Sequence, residues 1–135
     1  MKTLAEQKEF ALSQLAPYLK DPSTCGYDVN TSNCEYLAPN GNMCVAGKNM
    51  IEPIFGLHKG IDDLLDNDEQ EDIFKPEVVG ILSTIQWVGM QSIHDTIAVN
   101  DTIAVNVDEN RLKEKINRLN LFTYEELVER ADSLE

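Results

Sequence analysis

The sequence predicts an α+β fold: a mainly helical single domain spanning residues 1–135, with one small β-hairpin at residues 33–46. Three observations lead there. Apolar residues recur at helical spacing near both ends of the chain and after Pro76. An Asn-Gly pair at 40–41 stands between two short runs that suit strands. The 135 residues fit one compact core and leave little room for a second.

The first helix opens on a capping box, Thr3 with Glu6, and carries Leu4, Ala11, Leu15 and Leu19 on one stripe, with Phe10 and Leu12 at its edge. Pro17 lacks an amide donor and is expected to end or kink it. Residues 23–43 are rich in Ser, Thr, Gly, Asn and Asp and read as loop. Within and just beyond that stretch, Cys34–Leu37 and Met43–Ala46 are the two expected strands. Their open ends would bring Cys34 and Cys44 together as reduced thiols. Pro53 and Gly56 make residues 51–57 irregular. Ile61, Leu64 and Leu65 then give an acidic block one or two helical turns.

Pro76 suits a first helical position. Val78, Leu82, Ile85, Gly89 and Ile93 form the stripe expected of the central, most buried helix, which should end near His94-Asp95. An identical repeat follows, DTIAVN at 95–100 and again at 101–106. Six residues turn a helix by about 600°, so the copies would face about 120° apart and could not share one buried face. As strands they would alternate about a turn at Asn100-Asp101. The simpler reading, a duplication at 95–106 placed in a connection, is preferred. Asp108 can cap a helix carrying Leu112, Ile116 and Leu119. Arg111, Lys113, Lys115 and Arg118 make that segment the basic part of the chain. Thr123 with Glu126 caps a last helix bearing Leu127, Val128 and Leu134.

Charge narrows the function. With 24 Asp+Glu against 11 Lys+Arg the formal net charge is −13, which should repel nucleic acid and anionic membranes. No run reaches the roughly 18 apolar residues of a membrane span, and the N-terminus lacks the apolar core of a secretory signal. With three cysteines, an odd number, reduced thiols in a cytoplasm are expected.

Two segments are distinctive together. One reads Cys34-Glu-Tyr36-Leu-Ala-Pro-Asn-Gly41-Asn-Met-Cys44-Val-Ala-Gly47, the other Met90-Gln91-Ser-Ile93-His94-Asp95. They resemble a group of small proteins of tailed bacteriophages and prophages, which carry a C-x-Y-x-x-x-D-G-x-x-C-A-V-G hairpin and a later L-Q-x-I-H-D helix end. The order of elements is similar over most of the chain. Asn40 stands where Asp is usual, Val45-Ala46 where Ala-Val is usual, and a Trp often found after the His-Asp pair is missing. The resemblance implies a bacterial host cytoplasm.

The candidate sites follow. Cys44 could be a nucleophile activated by His94, with Asp95 beside it. Cys25, Cys34 and Cys44, with His94 or His58, could instead hold a metal, although no C-x-x-C pair is present. The plainer alternative, and the preferred one, makes the cysteines small buried hydrophobes, has His94 donate to a backbone carbonyl and lets Asp95 end its helix. Tyr36 and Trp87 could line a pocket or fill the core. Asp62, Asp63, Asp66, Asp68, Glu69, Glu71 and Asp72 form either a solvated face or a partner-binding one, and lack the spacing of an EF-hand.

Two functions fit. The first is a small phage-type accessory protein that binds and modulates, by inhibition, a basic host protein such as a defence or nucleic-acid-processing factor. The acidic block, with Tyr36, would make the contact, and DNA mimicry is its sharpest form. No cofactor is expected. The alternative is a thiol-dependent enzyme or zinc-stabilised domain built on Cys34, Cys44 and His94.

Overall fold

Thr3 caps α1 (Leu4–Lys20) as its sequence requires. Its hydroxyl accepts from the Glu6 amide, and the Glu6 carboxylate accepts from the Thr3 amide. This computed structural model describes residues 2–28, 33–53, 60–67, 69–103 and 109–134. Ala11, Leu12, Leu15, Ala16 and Tyr18 form the buried face of α1, whereas Leu4 lies exposed on its first turn. Pro17 does not end the helix, which continues to Lys20. It removes the one bond to the Ser13 carbonyl, and Ser13 is exposed, so water can serve that acceptor.

A 3-10 turn at Pro22–Thr24 leads into β1 (Tyr27–Asp28), which pairs antiparallel with β2 (Asn33–Cys34), Tyr27 opposite Cys34. Next come a 3-10 turn at Gly47–Asn49, α2 (Ile61–Asn67), α3 (Gln70–Ile73) and a 3-10 turn at Pro76–Val78. The chain finishes with α4 (Thr84–Ile103), α5 (Glu109–Leu119) and α6 (Tyr124–Ser133). Helix accounts for 66% of the structure and strand or bridge for 5%, so the fold is helical and the expected α+β class with a hairpin at residues 33–46 is wrong.

Tertiary partners, not the local turn, account for the difference. The tight turn forms, with Ala38 N–H donating to the Asn42 carbonyl (2.8 Å) and Gly41 N–H to that of Ala38 (2.9 Å). The arms beyond it find other partners. The Glu35 amide bonds the Gly26 carbonyl, the Met43 carbonyl accepts from the Tyr18 hydroxyl, and the Ala46 amide bonds the side chain of Gln91. Partners from α1, from α4 and from the residue before β1 thus take the groups a Cys34–Cys44 ladder would need.

The phase of the central helix also differs from the expected one. Gly80, at φ 80°, breaks the chain after the 3-10 turn, and α4 starts only at Thr84. Ser83 and Gln86 form a capping box there: the Ser83 amide donates to the Gln86 side chain (2.8 Å), and the Gln86 amide to the Ser83 hydroxyl (3.2 Å). Val78 and Leu82 are buried from outside the helix, the buried face of α4 is Trp87, Met90, Ile93, His94, Ile97 and Ala98, and Ile85 is exposed. Nor does α4 stop at His94-Asp95. The first DTIAVN copy lies wholly within it and the second begins in it, so 95–103 is helix rather than connection; residues 104–106 lie outside the described ones.

α1 packs against α6 and α4, and α4 against α5 and α2. Trp87, the single tryptophan, is fully buried where these meet. Its ring stacks on Phe74 at 4.2 Å and takes an edge contact from Phe10 at 5.8 Å. Phe74 is held there by a bridge to Met50 and by flanking bonds, Ile51 N–H to the Ile73 carbonyl and Lys75 N–H to that of Asn49. Leu112, Ile116 and Leu119 of α5, and Leu127 of α6, are buried as their spacing requires. Thr123 and Glu126 form the second expected capping box. Arg130 pairs both nitrogens with Glu9, and Lys8 meets Glu126, so α1 and α6 are also joined at the surface.

Replacing Phe74 by Ala should cost about 3–5 kcal/mol, because it empties the face on which Trp87 stacks. Urea unfolding followed by tryptophan emission measures this. The wild type should show a blue-shifted native band, already moved to the red in the variant.

Candidate functional site

Residues at the centre of α4 and the loop between α1 and α2 are brought together around His94. Gln91 and Asp95 lie four residues apart on α4, hence on one face, and the Gln91 side-chain amide donates to the Asp95 carboxylate at 3.0 Å. The other end of Gln91 accepts from the Ala46 amide at 3.0 Å. His94 has no solvent exposure, and its two ring nitrogens are both engaged. Nε2 lies 3.2 Å from the Gly26 amide nitrogen and Nδ1 2.8 Å from Asp95 Oδ1. An amide can only donate, so Nε2 must be the acceptor. The proton therefore sits on Nδ1 and points to Asp95. Tyr18 packs edge-on against the ring at 4.6 Å and sends its hydroxyl to the Met43 carbonyl at 2.7 Å. His94 thus receives a backbone amide, where donation to a backbone carbonyl was expected.

Two glycines make the approach possible. A Cβ on Gly26 would stand 2.3 Å from the Cys44 nitrogen and 2.5 Å from the Glu35 carbonyl oxygen. A Cβ on Gly47 would stand 2.0 Å from the Tyr36 carbonyl oxygen. Both neighbours are backbone, which cannot swing aside, so only glycine permits the three chain segments to close on one another.

The cysteines divide. Cys34, half-buried, joins His94 and Asp95: one ligand-type atom from each lies within 4.8 Å of the other two. Cys44 is not part of that set. It is fully buried, and its sulfur accepts from the Gly47 amide at 3.3 Å. All three cysteines are free thiols. Burial pushes the Cys34 thiol well above its usual range, and the Asp95 carboxylate adds to this. Burial likewise pushes the Cys44 thiol up to about 11, the Gly47 amide opposing it. A thiolate is the nucleophilic form, and both sites suppress it.

No family model matches the chain, and no curated protein or solved structure is significantly similar to it.

The geometry bears on each candidate. For Cys44 as nucleophile with His94 as base, the base needs a free ring nitrogen near the sulfur. Nε2 is occupied by Gly26 and Nδ1 carries its proton toward Asp95. For a metal, Cys34, His94 and Asp95 converge, but coordination through Nδ1 would move the ring proton to Nε2 and set it against the Gly26 N–H. The residues therefore do not fit a metal in this arrangement. Cys25 is buried, and His58 lies outside the described residues. Tyr36, expected to contact a partner, is a core residue with 6% exposure. Of the acidic block, Asp62, Asp63, Asp66, Glu69, Glu71 and Asp72 are exposed on or beside α2 and α3, and Asp68 lies outside the described residues.

Gln91 entered the sequence reading only as a motif letter. Its spacing from Asp95 was the signal that assigns it to the same face. Gly26 and Tyr18 had no such signal, because their partners lie far away in sequence.

Gln91→Ala should cost about 1–3 kcal/mol by leaving the buried Ala46 amide unpaired, and His94→Ala about 3–5 kcal/mol, since it adds a cavity to an orphaned Gly26 amide. Chemical denaturation of the two variants checks this ranking.

Alkaline pH should weaken the fold through Cys44. Its folded pKa, about 11, lies above the usual value of 9.0, so the folded state keeps a proton that the unfolded state loses. The stability this provides is complete below about pH 9 and is lost as pH rises through 11. Urea midpoints measured across that window should fall by less in Cys44→Ala than in wild type.

Proposed function

We propose that the chain is a small acidic accessory protein, of the phage type it resembles, that binds and modulates a host protein bearing a basic surface. One observation supports this above the rest. Asp62, Asp63, Asp66, Glu69, Glu71 and Asp72 all face solvent on or beside two consecutive short helices. From Gly60 to Phe74 the sequence itself contains no Lys or Arg. Ile61, buried, and Leu64 and Leu65, partly buried, fix this segment to the core, so the carboxylates are presented on an anchored scaffold. Such a face steers a basic partner and suits a groove that otherwise holds DNA or a nucleotide. Among the described residues, no helix is long and apolar enough to cross a membrane.

The second reading, a thiol enzyme or zinc-stabilised domain, draws on the convergence of Cys34, His94 and Asp95. Two features weigh against it: both nitrogens of His94 are committed, and the thiols are held protonated. A thiol-reactivity assay and metal analysis of the folded protein distinguish the readings. Rapid alkylation at neutral pH, or one zinc per chain, would favour the second.

The binding proposal is tested by changing the six exposed carboxylates to Asn or Gln. Exposed substitutions typically shift stability by less than about 0.5 kcal/mol each, so the fold should survive. Wild type should capture a basic protein from a bacterial host lysate, and the variant should capture it with a slower on-rate and a flatter salt dependence. Duplex DNA should compete if the face acts as a DNA mimic. Equal on-rates and salt slopes for the two proteins would remove the acidic face from the interface.

A further inference from the structure

The basic residues of α5 flank an apolar groove that the packing of α4 against α5 leaves open. Ile85 and Val88 of α4 and Leu119 of α5 line a cavity of about 340 Å³, with Lys115 and Arg118 on its rim. Ile85 is 83% exposed, so its side chain is offered almost entirely to solvent. Gly89 lets Leu119 close the floor: a Cβ there would stand 3.1 Å from Leu119 Cδ1. Past Ser92 the depression continues into a smaller one of about 150 Å³, lined by Val99, Arg111 and Lys115. From residue 85 to residue 99 a helix rises about 21 Å, room for roughly four turns of a partner helix.

The charge along this groove opposes that of the whole chain. Arg111, Lys115 and Arg118 follow one another at i, i+4 and i+7 on one face of α5, in a protein of net charge −13. Arg118 pairs with Glu114 at 2.8 Å, but both side chains are more than half exposed, and such pairs are weak. Among the described residues lining the two depressions, Asp95 is the one carboxylate, and it is held by His94 and Gln91.

We infer that the α4–α5 groove binds an acidic amphipathic helix of a partner protein, with apolar residues at i, i+3 and i+4 seated on Ile85, Val88 and Leu119 and Asp or Glu along the flank facing Arg111, Lys115 and Arg118. Charge complementarity selects this occupant. A basic helix would meet the α5 ridge, and a nucleic-acid backbone brings no aliphatic side chains to seat on Ile85, Val88 and Leu119. A second copy offers acidic residues without the apolar face, because Ile61 is buried in its own core and Leu64 and Leu65 pack against it. This is helix-in-groove recognition, with anchors for affinity and charge for selectivity. The lining of the groove shares no residue with the acidic face, so the proposal stands whether or not that face binds a partner.

Two helical peptides of about 15 residues test it. Both carry Leu at i, i+3, i+4 and i+7; one has Glu at the remaining positions and the other Lys. Fluorescence anisotropy with the full chain should show saturable binding of the Glu peptide, weakening as salt rises. Ile85→Asp, and separately Lys115→Glu with Arg118→Glu, should each weaken it by about tenfold or more, with circular dichroism confirming that the variants stay folded. Competition that requires Ile85 should be absent for the Lys peptide. No binding of the Glu peptide, or equal binding to wild type and both variants, would overturn the proposal. A dimer seen by light scattering that Ile85→Asp dissociates would overturn it too, by giving the groove to a second copy.

Discussion

A buried imidazole nitrogen has no water to bond, and His94 Nε2 finds its donor in the Gly26 amide, 68 residues away in sequence. That bond fixes the histidine tautomer. The tautomer directs Nδ1–H to Asp95, and Asp95 is the point on which Gln91 and Cys34 also converge. Through Gln91 the same cluster holds the Ala46 amide. In the described part of the loop between α1 and α2, the Gly26 and Ala46 amides are bonded by α4 side chains rather than by regular structure. Unpaired, each would oppose folding by more than an ordinary hydrogen bond contributes.

This dependence accounts for the distinctive residues of the chain. Gly26 and Gly47 are the places where backbone touches backbone. Tyr36 and Cys44 fill the space behind the contact. Tyr18 covers the histidine ring and holds the Met43 carbonyl. Residues that resemble a catalytic set in sequence are held by structural bonds in space: His94 joins Gly26 and Asp95, and Cys44 accepts from Gly47.

Around this buried centre the surface carries two features of opposite sign. The carboxylates of α2 and α3 rest on a segment anchored by Ile61. The α5 cations border an open apolar groove that begins at Ile85. Trp87, Phe74 and His94 are fully buried, whereas both of these features are open to solvent.

What the sequence alone determined is local. The capping boxes at Thr3 and Thr123, the buried positions of α5, and the helical character of the acidic block depend on neighbours three or four residues away, and they form as the sequence predicts. The pairing of Gln91 with Asp95 belongs with them, being one turn of helix. Tertiary structure decided the rest. Cys34–Ala46 carries every local signal of a hairpin, yet its backbone bonds Gly26, Tyr18 and Gln91 instead. The start of α4 at Thr84 set which side of the helix faces inward, and so placed His94 in the core and Ile85 in water. Neither outcome is contained in spacing. Each depends on which distant donor reaches a group first, and a buried polar group accepts whichever partner the packing brings to it.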